Sequence, residues 1–423
     1  MRELTVTRLG FKGDGVAGDV RIPFALPGEV VRGPVSDGVL APVEILEASS
    51  DRATPPCRHF GTCGGCALQH ASDAFVAGWK RDVVVRALAA RGLGAPVGAA
   101  ETSPPRSRIR AVFAARRTRS SAMVGFHARR SGTIVDIAEC HVLRPALLAA
   151  RPALVALTAL GASRAGALRL TVTQSDAGLD VDIGRDKPLE SDVGGGKPPG
   201  IDVGGGKPLD AGLRGALAAL AEAHDLARLA WAGEPLALRR PPLQRFGRVR
   251  VAPPPGAFLQ ATAEGAAALV DAVRAAVEGV GCVADLFAGC GTFALPLAEA
   301  AEVHAVEADA AMLAALDAGW RAAAGLRRVT IEARDLFRRP LLAAELDRFE
   351  AVVIDPPRAG AEEQMRALAA SGVRIIAAVS CNPVTFARDA AILATGGYRL
   401  EYVRVIDQFR WSAHIELAAR FSR

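Results

Sequence analysis

The sequence predicts a multidomain α/β chain: a small antiparallel β-barrel over residues 1–48, a central α+β domain over 49–255, and a doubly wound parallel sheet over 256–423. Length comes first: 423 residues, 50% of them hydrophobic, are too many for one ordinary core. From about residue 256, apolar strand-like segments alternate with Ala-rich helical stretches, the pattern of βαβ units whose ligands sit at the carboxyl ends of the strands. Before residue 48 the pattern is different, with short strand-like pieces broken by Gly and Asp turns.

The N-terminal pieces are "ELTVTRL", "DVRIPFAL", "EVVRGPV" and "APVEILEA". A five-stranded, OB-like barrel built from such pieces commonly offers one face to oligonucleotides, though barrels also serve as inert modules. Clustered cysteines follow, then an amphipathic helix through "FVAGWKRDVVVRALAARG", then Arg-rich strands ending in "GTIVDIAEC". A decamer recurs three times over residues 182–209 and reads as a Gly- and Pro-rich surface loop. The C-terminal strands are expected in "CVADLFA", "EVHAVEA", "RVTIEARD", "AVVIDPP", "RIIAAVSC", "YRLEYVRVIDQF" and "HIELAARF".

The net charge of +6 comes almost wholly from Arg, with only five Lys. Residues 104–130 hold eight Arg and residues 238–250 hold five, neither with an acid. Guanidinium forks onto phosphate and stacks on bases, so these stretches suit RNA better than a membrane; ordinary solvated faces are the alternative. No uncharged apolar run approaches the ~18 residues of a membrane span, and the N-terminus has no secretory signal. Seven cysteines, an odd count, argue against a disulfide framework and for a cytoplasmic chain.

In "DLFAGCGTF", Gly289 and Gly291 permit a tight turn between a strand and a helix, without the full dinucleotide spacing. Glu307 ends the next strand, where an acid can accept from ribose hydroxyls; Asp335 and Asp355 end the two after it. Acids on successive strand tips with nothing arranged around a pyrophosphate fit S-adenosylmethionine better than a dinucleotide. "DPPRAG" resembles an amino-group methyltransferase motif, but Arg358 stands where an aromatic is needed, so a different target atom is implied. "RIIAAVSCNP" places Cys381 before Asn382, a good N-cap, and Pro383, pre-shaped for the first helical position. The positive end of that helix is expected to favour a thiolate, and hence nucleophilic catalysis.

Cys57, Cys63 and Cys66 form C-x5-C-x2-C, with Gly64 and Gly65 letting the backbone wrap a metal, and Cys140 is the candidate fourth ligand. A four-thiolate iron-sulfur cluster is preferred. Zinc stays open, since His59, His70 and His141 lie nearby. Cys282 and Cys290 read as small core residues.

Together, "GDGVAG…IPFALPGEVV", "PPCRHFGTCGGCALQH", "GFHARRSGTIVDIAECHVLRP", "FLQATAEGAAALV", "DLFAGCGTFALPLA", "IDPPRAGA", "SCNPVTFARDAAIL" and "HIELAA" resemble, in order, the RNA 5-methyluridine methyltransferases of the iron-sulfur-containing 23S rRNA type. The resemblance implies a Rossmann-like class I methyltransferase domain and an N-terminal TRAM-like RNA-binding barrel. It implies Cys381 as nucleophile, Glu416 as base, and Gln260, Phe287, Thr292, Glu307 and Asp355 around S-adenosylmethionine. It also implies a [4Fe-4S] cluster on Cys57, Cys63, Cys66 and Cys140, 23S rRNA as substrate, and a monomer without an obligate protein partner. The alternatives are a tRNA uridine methyltransferase and a non-catalytic ribosome-assembly protein that keeps the fold as scaffold.

Overall fold

A computed structural model of the chain describes residues 1–164, 166–185 and 205–423. The decamer repeat lies for the most part outside them.

All seven expected C-terminal strands form, and they build one eight-stranded sheet. Its order is Val329–Ala333, Glu302–Glu307, Cys282–Leu286, Ala351–Ile354, Ile375–Ser380, Glu416–Ser422, Arg399–Asp407, Val97–Thr102. The first five run parallel, and their near-continuous apolar composition is what a sheet covered on both faces demands. Glu416–Ser422 breaks the all-parallel expectation by running antiparallel to both of its neighbours. Only residues 408–415 separate it from Arg399–Asp407, too few for the helical crossover that a parallel pair needs. The eighth strand comes from far upstream: Val97–Thr102 pairs parallel with Arg399–Asp407.

The helix Asp73–Ala89 accompanies that edge strand. Ser72 caps it by accepting the Phe75 N–H, and its apolar face joins the large core under the sheet. Its one buried charge is Lys80, 0% exposed, whose Nζ donates to Asp407 Oδ1 at 2.6 Å and to the Phe409 carbonyl at 3.1 Å.

Seven strands, Arg110–Arg117, Ala122–His127, Ile134–Asp136, Ala167–Ser175, Gly178–Arg185, Arg228–Trp231 and Glu234–Leu238, form a second sheet with Arg151–Gly161 and Ala211–Ala223 packed on it around Leu154, Leu157, Leu170, Val181 and Leu217. The N-terminal segment folds into a three-stranded and a five-stranded sheet enclosing a small core of Val6, Val20, Ile22, Ala25, Val31 and Leu40. Asp14, from this segment, accepts from both Arg129 and Arg130, and the Arg129 guanidinium lies 4.8 Å from the Phe24 ring centroid. No helix among the described residues is long and apolar enough to cross a membrane.

Removing one partner of a fully buried ion pair strands the other charge, at a cost of about 3–5 kcal/mol. Lys80→Met is therefore expected to lower stability by about that amount in denaturant unfolding, and Lys80→Met with Asp407→Leu to recover part of the loss.

Candidate active site

The carboxyl ends of the central strands gather most of the residues singled out in the sequence. After Cys282–Leu286 the chain turns through Phe287, Gly289 and Gly291, all with positive φ (63°, 54° and 94°). At Gly291 a Cβ would lie 2.8 Å from Leu295 and 2.9 Å from Leu316, so only glycine fits. The Gly289 N–H donates to Glu307 Oε2 at 3.1 Å, while Glu307 Oε1 accepts from the Ala308 and Asp309 N–H groups. Glu307 thus ties the glycine turn to the next strand tip. The helix after the turn is short, Ala294–Leu297. Asp335, by contrast, caps a turn, accepting from the Phe337 and Arg338 N–H groups.

Cys381 lies between the strand Ile375–Ser380 and the helix Pro383–Thr395. As expected, Asn382 is the N-cap, its Oδ1 accepting the Val384 N–H at 3.1 Å. Its Nδ2 donates to the Arg358 carbonyl at 3.0 Å, and Thr385 Oγ1 donates to the same oxygen at 3.1 Å. These bonds fix the "DPPRAG" loop against the helix mouth. Arg358 donates in turn to His414 Nδ1 at 3.0 Å, which leaves His414 Nε2 to carry the ring proton.

A cavity of about 440 Å³ brings Cys381 and Glu416 together with Arg358, Phe409 and His414. Burial pushes the Cys381 thiol up to about 12, and the nearby Glu416 and Asp355 add to it. The expected thiolate is therefore disfavoured in the free site: desolvation and two carboxyl neighbours outweigh the helix terminus and Arg358. Glu416, 4% exposed, is pushed up to about 8 by burial and by Asp355; Gln408 and Arg358 pull it back. Burial takes Asp355 up to about 7. Raised acids crowded in a cleft mark a site rather than a scaffold.

Gln260 and Thr292 line a second cavity, of about 480 Å³. The Phe287 ring lies 5.4 Å from that of Phe337. Two residues passed over in the sequence belong here. Asp285, 0% exposed at the end of Cys282–Leu286, is held well above its usual range by burial, Asp355 and Glu307; its signal was an acid inside an apolar run. Gln408 is buried and donates to Gln260 Oε1, with nothing in sequence to single it out.

Cys57, Cys63, Cys66 and Cys140 also line the 440 Å³ cavity. Burial pushes Cys66 up to about 12, and the charges of Cys140, Cys63 and Cys57 contribute. Thiolates are the right donors for a cluster, yet among the described residues no group of three or more His, Cys, Asp or Glu is gathered closely enough to hold a metal ion. His59 lines the cavity, whereas His70 sits against the Phe24 and Phe60 rings. Gly64 has a plainer purpose than wrapping a metal: its N–H donates to the His127 carbonyl at 2.9 Å, and a Cβ would lie 2.7 Å from that oxygen. Cys290 is buried in the core and Cys282 packs against it, as read.

A carboxyl raised in the folded state stabilises the fold below its unfolded pKa, and that contribution is lost as pH rises through the folded value. Between about pH 5 and 9 the wild type is thus expected to lose more thermal stability than Glu416→Gln; parallel melting curves would contradict this.

The family model for tRNA (uracil-5-)-methyltransferases matches residues 251–423. An uncharacterised RNA methyltransferase of Brucella suis is 47% identical over 421 residues, covering 99% of this chain and 97% of that one. The 23S rRNA (uracil(1939)-C(5))-methyltransferase RlmD of Halomonas elongata is 34% identical over 449 residues, covering 98% and 88%. Among solved structures, the Pyrococcus abyssi tRNA (uracil-54, C5)-methyltransferase in complex with S-adenosyl-L-homocysteine shares the fold at TM-score 0.74 and 22% identity, covering 99% of both chains. A doubly wound sheet with an acid-rich carboxyl edge, a Cys and a Glu facing one cavity, and this kinship over nearly the whole length lead to one conclusion: the chain belongs to the RNA 5-methyluridine methyltransferases, enzymes that methylate uracil C5 in RNA with S-adenosylmethionine.

Proposed function

We propose that this enzyme methylates uridine C5 in 23S rRNA through a covalent adduct on Cys381. The observation that carries the reading is that Cys381 and Glu416 face one cavity, each one residue beyond Ser380–Leu417, the last register pair at the same end of the two antiparallel strands. Uracil C5 is a poor nucleophile. Addition of the Cys381 sulfur to C6 moves the ring's electron pair onto the C4 carbonyl as an enolate, and C5 becomes able to take a methyl group. S-adenosylmethionine, which Gln260, Phe287, Thr292, Glu307 and Asp355 would hold, would supply that methyl as an electrophile and leave as S-adenosylhomocysteine. Glu416 then accepts the C5 proton, and the electrons left behind restore the C5–C6 double bond as the sulfur departs. The thiol must give up its proton to solvent as it attacks, leaving Glu416 free for the C5 proton. Arg358 is the cation beside it that favours this, and like charge from Asp355 and Glu416 opposes it.

The base must leave its stack to reach the cavity, and the Arg-rich segments together with residues 1–48, as an RNA-binding TRAM-like barrel, would hold the surrounding RNA. Residues 49–255 would then be the cluster-bearing domain and 256–423 the methyltransferase domain, acting as a monomer. We also propose Cys57, Cys63, Cys66 and Cys140 as ligands of a [4Fe-4S] cluster on their thiol chemistry and common cavity, although among the described residues they are not gathered closely enough to hold a metal and would have to draw together around it. Among substrates, 23S rRNA is favoured by the kinship with RlmD over nearly the full length.

Cys381→Ala is expected to abolish methyl incorporation into unmodified rRNA, and RNA carrying 5-fluorouridine to trap wild-type protein through residue 381; full activity of the variant would refute the covalent route. Mass-spectrometric mapping in a deletion strain should show 5-methyluridine lost from 23S rRNA and retained in tRNA, the reverse pattern making tRNA the substrate. Anaerobically purified protein should carry about four iron and four sulfide per chain, and zinc alone would overturn the cluster.

A further inference from the structure

Between the two cavities lies a buried amide that neither cavity exposes. Gln408, 1% exposed, directly follows the strand Arg399–Asp407. Its Oε1 accepts the Ala261 N–H at 2.7 Å and its Nε2 donates to Gln260 Oε1 at 2.5 Å, while two residues back Ile406 pairs with Glu416, whose charged form the Gln408 amide favours. A backbone N–H can only donate, so the atom facing Ala261 is oxygen, and the amide nitrogen must face Gln260. The same logic turns the carbonyl of Gln260 towards Gln408 and leaves its own amide nitrogen for the cavity. The arrangement is over-determined. A Cβ on Gly265 would lie 2.6 Å from the Gln408 Cβ, and Gly265 is fixed by its N–H to Thr262 Oγ1 at 2.9 Å, with Thr262 in turn 2.8 Å from Ser103 Oγ.

Gln260 lines one cavity with Thr292, and Glu416 lines the other with Cys381. Gln408 is the link between a wall residue of each. We propose that Gln408 is a positioning residue: it aims the Glu416 carboxylate for removal of the C5 proton and orients Gln260 in the methyl-donor site. This rests on the covalent reading above. Besides Gln408, the groups facing Glu416 are Asp355 and Arg358 from the "DPPRAG" loop and the Cys381 thiol at the next strand end, with His414 on its own strand's approach. Asp355 opposes the charged form; Arg358 and the Gln408 N–H favour it. The N–H alone also has a direction, which the Arg358 charge does not supply.

The test is single-turnover kinetics with methyl-labelled S-adenosylmethionine and unmodified rRNA from pH 6 to 9, resolving protein-bound from free methylated RNA on denaturing gels. Gln408→Met keeps the volume and removes the donor; Gln408→Glu keeps an acceptor for the Ala261 N–H and serves if the Met variant does not fold. The bound-to-free ratio reports only active molecules, so partial misfolding does not distort it. Both variants are expected to form labelled adduct but to release product on the order of 10- to 100-fold more slowly, the loss expected for one hydrogen bond to a charged group. The rise of release with pH should move to higher pH, because the base holds its proton more tightly. Wild-type release and an unmoved pH profile in the folded variant would overturn the role of Gln408. Absence of an adduct from wild-type protein on 5-fluorouridine RNA would instead overturn the covalent reading itself.

Discussion

At the ends of neighbouring strands, burial makes Asp355, Cys381 and Glu416 all hard to ionise; Asp355 adds to the effect on Glu416, and both carboxyls add to that on Cys381. A surface carboxylate needs no partner to stay charged, but these groups do. Arg358 is the cation that faces them, and its loop is fixed by Asn382 and Thr385 rather than left to find its own position. The cleft is therefore a place where protons are held until something with a complementary charge or a reacting ring arrives. That restraint explains why so many hydrogen bonds are devoted to backbone near the site, as with Glu307 on the glycine turn and Asn382 on its helix.

Residues 408–415 carry the other half of the cleft, and long-range contacts hold them. Lys80 grips the start through Asp407 and the Phe409 carbonyl. Asp73, from the same helix, accepts from Arg410 and from Trp411 Nε1. The Trp411 carbonyl accepts from the N–H groups of Ala67 and Leu68, immediately after Cys66, and Trp411 itself has a positive φ of 59°. A non-glycine residue in that region persists only where its surroundings enforce it. The cysteine-bearing segment and the strand that presents Glu416 are thereby fastened to one loop.

Most of the fold was legible because its signals are local. Strand and helix alternation, the Asn382–Pro383 cap and the paired glycines each depend on residues a few positions apart. What escaped depends on distant partners. The thiolate expected at Cys381 is not favoured: helix termini are visible in sequence, whereas burial and the like charge of Glu416 and Asp355 are not. Gln408 reads as one polar residue after a strand until its contact with Gln260 is seen. Lys80 carries no mark of burial in the sequence, because its partner, Asp407, lies 327 positions away. The antiparallel direction of Glu416–Ser422, on the other hand, could have been inferred from the short connection before it.

Val97–Thr102 has a further consequence. It supplies the outermost rung of a ladder whose other seven members all come from beyond residue 281. A shortened protein beginning near residue 256 would leave Arg399–Asp407 with bare N–H and C=O groups along one side, a template for joining another molecule's strand. Composition alone invites a cut at that point; the backbone there would be left open to aggregation.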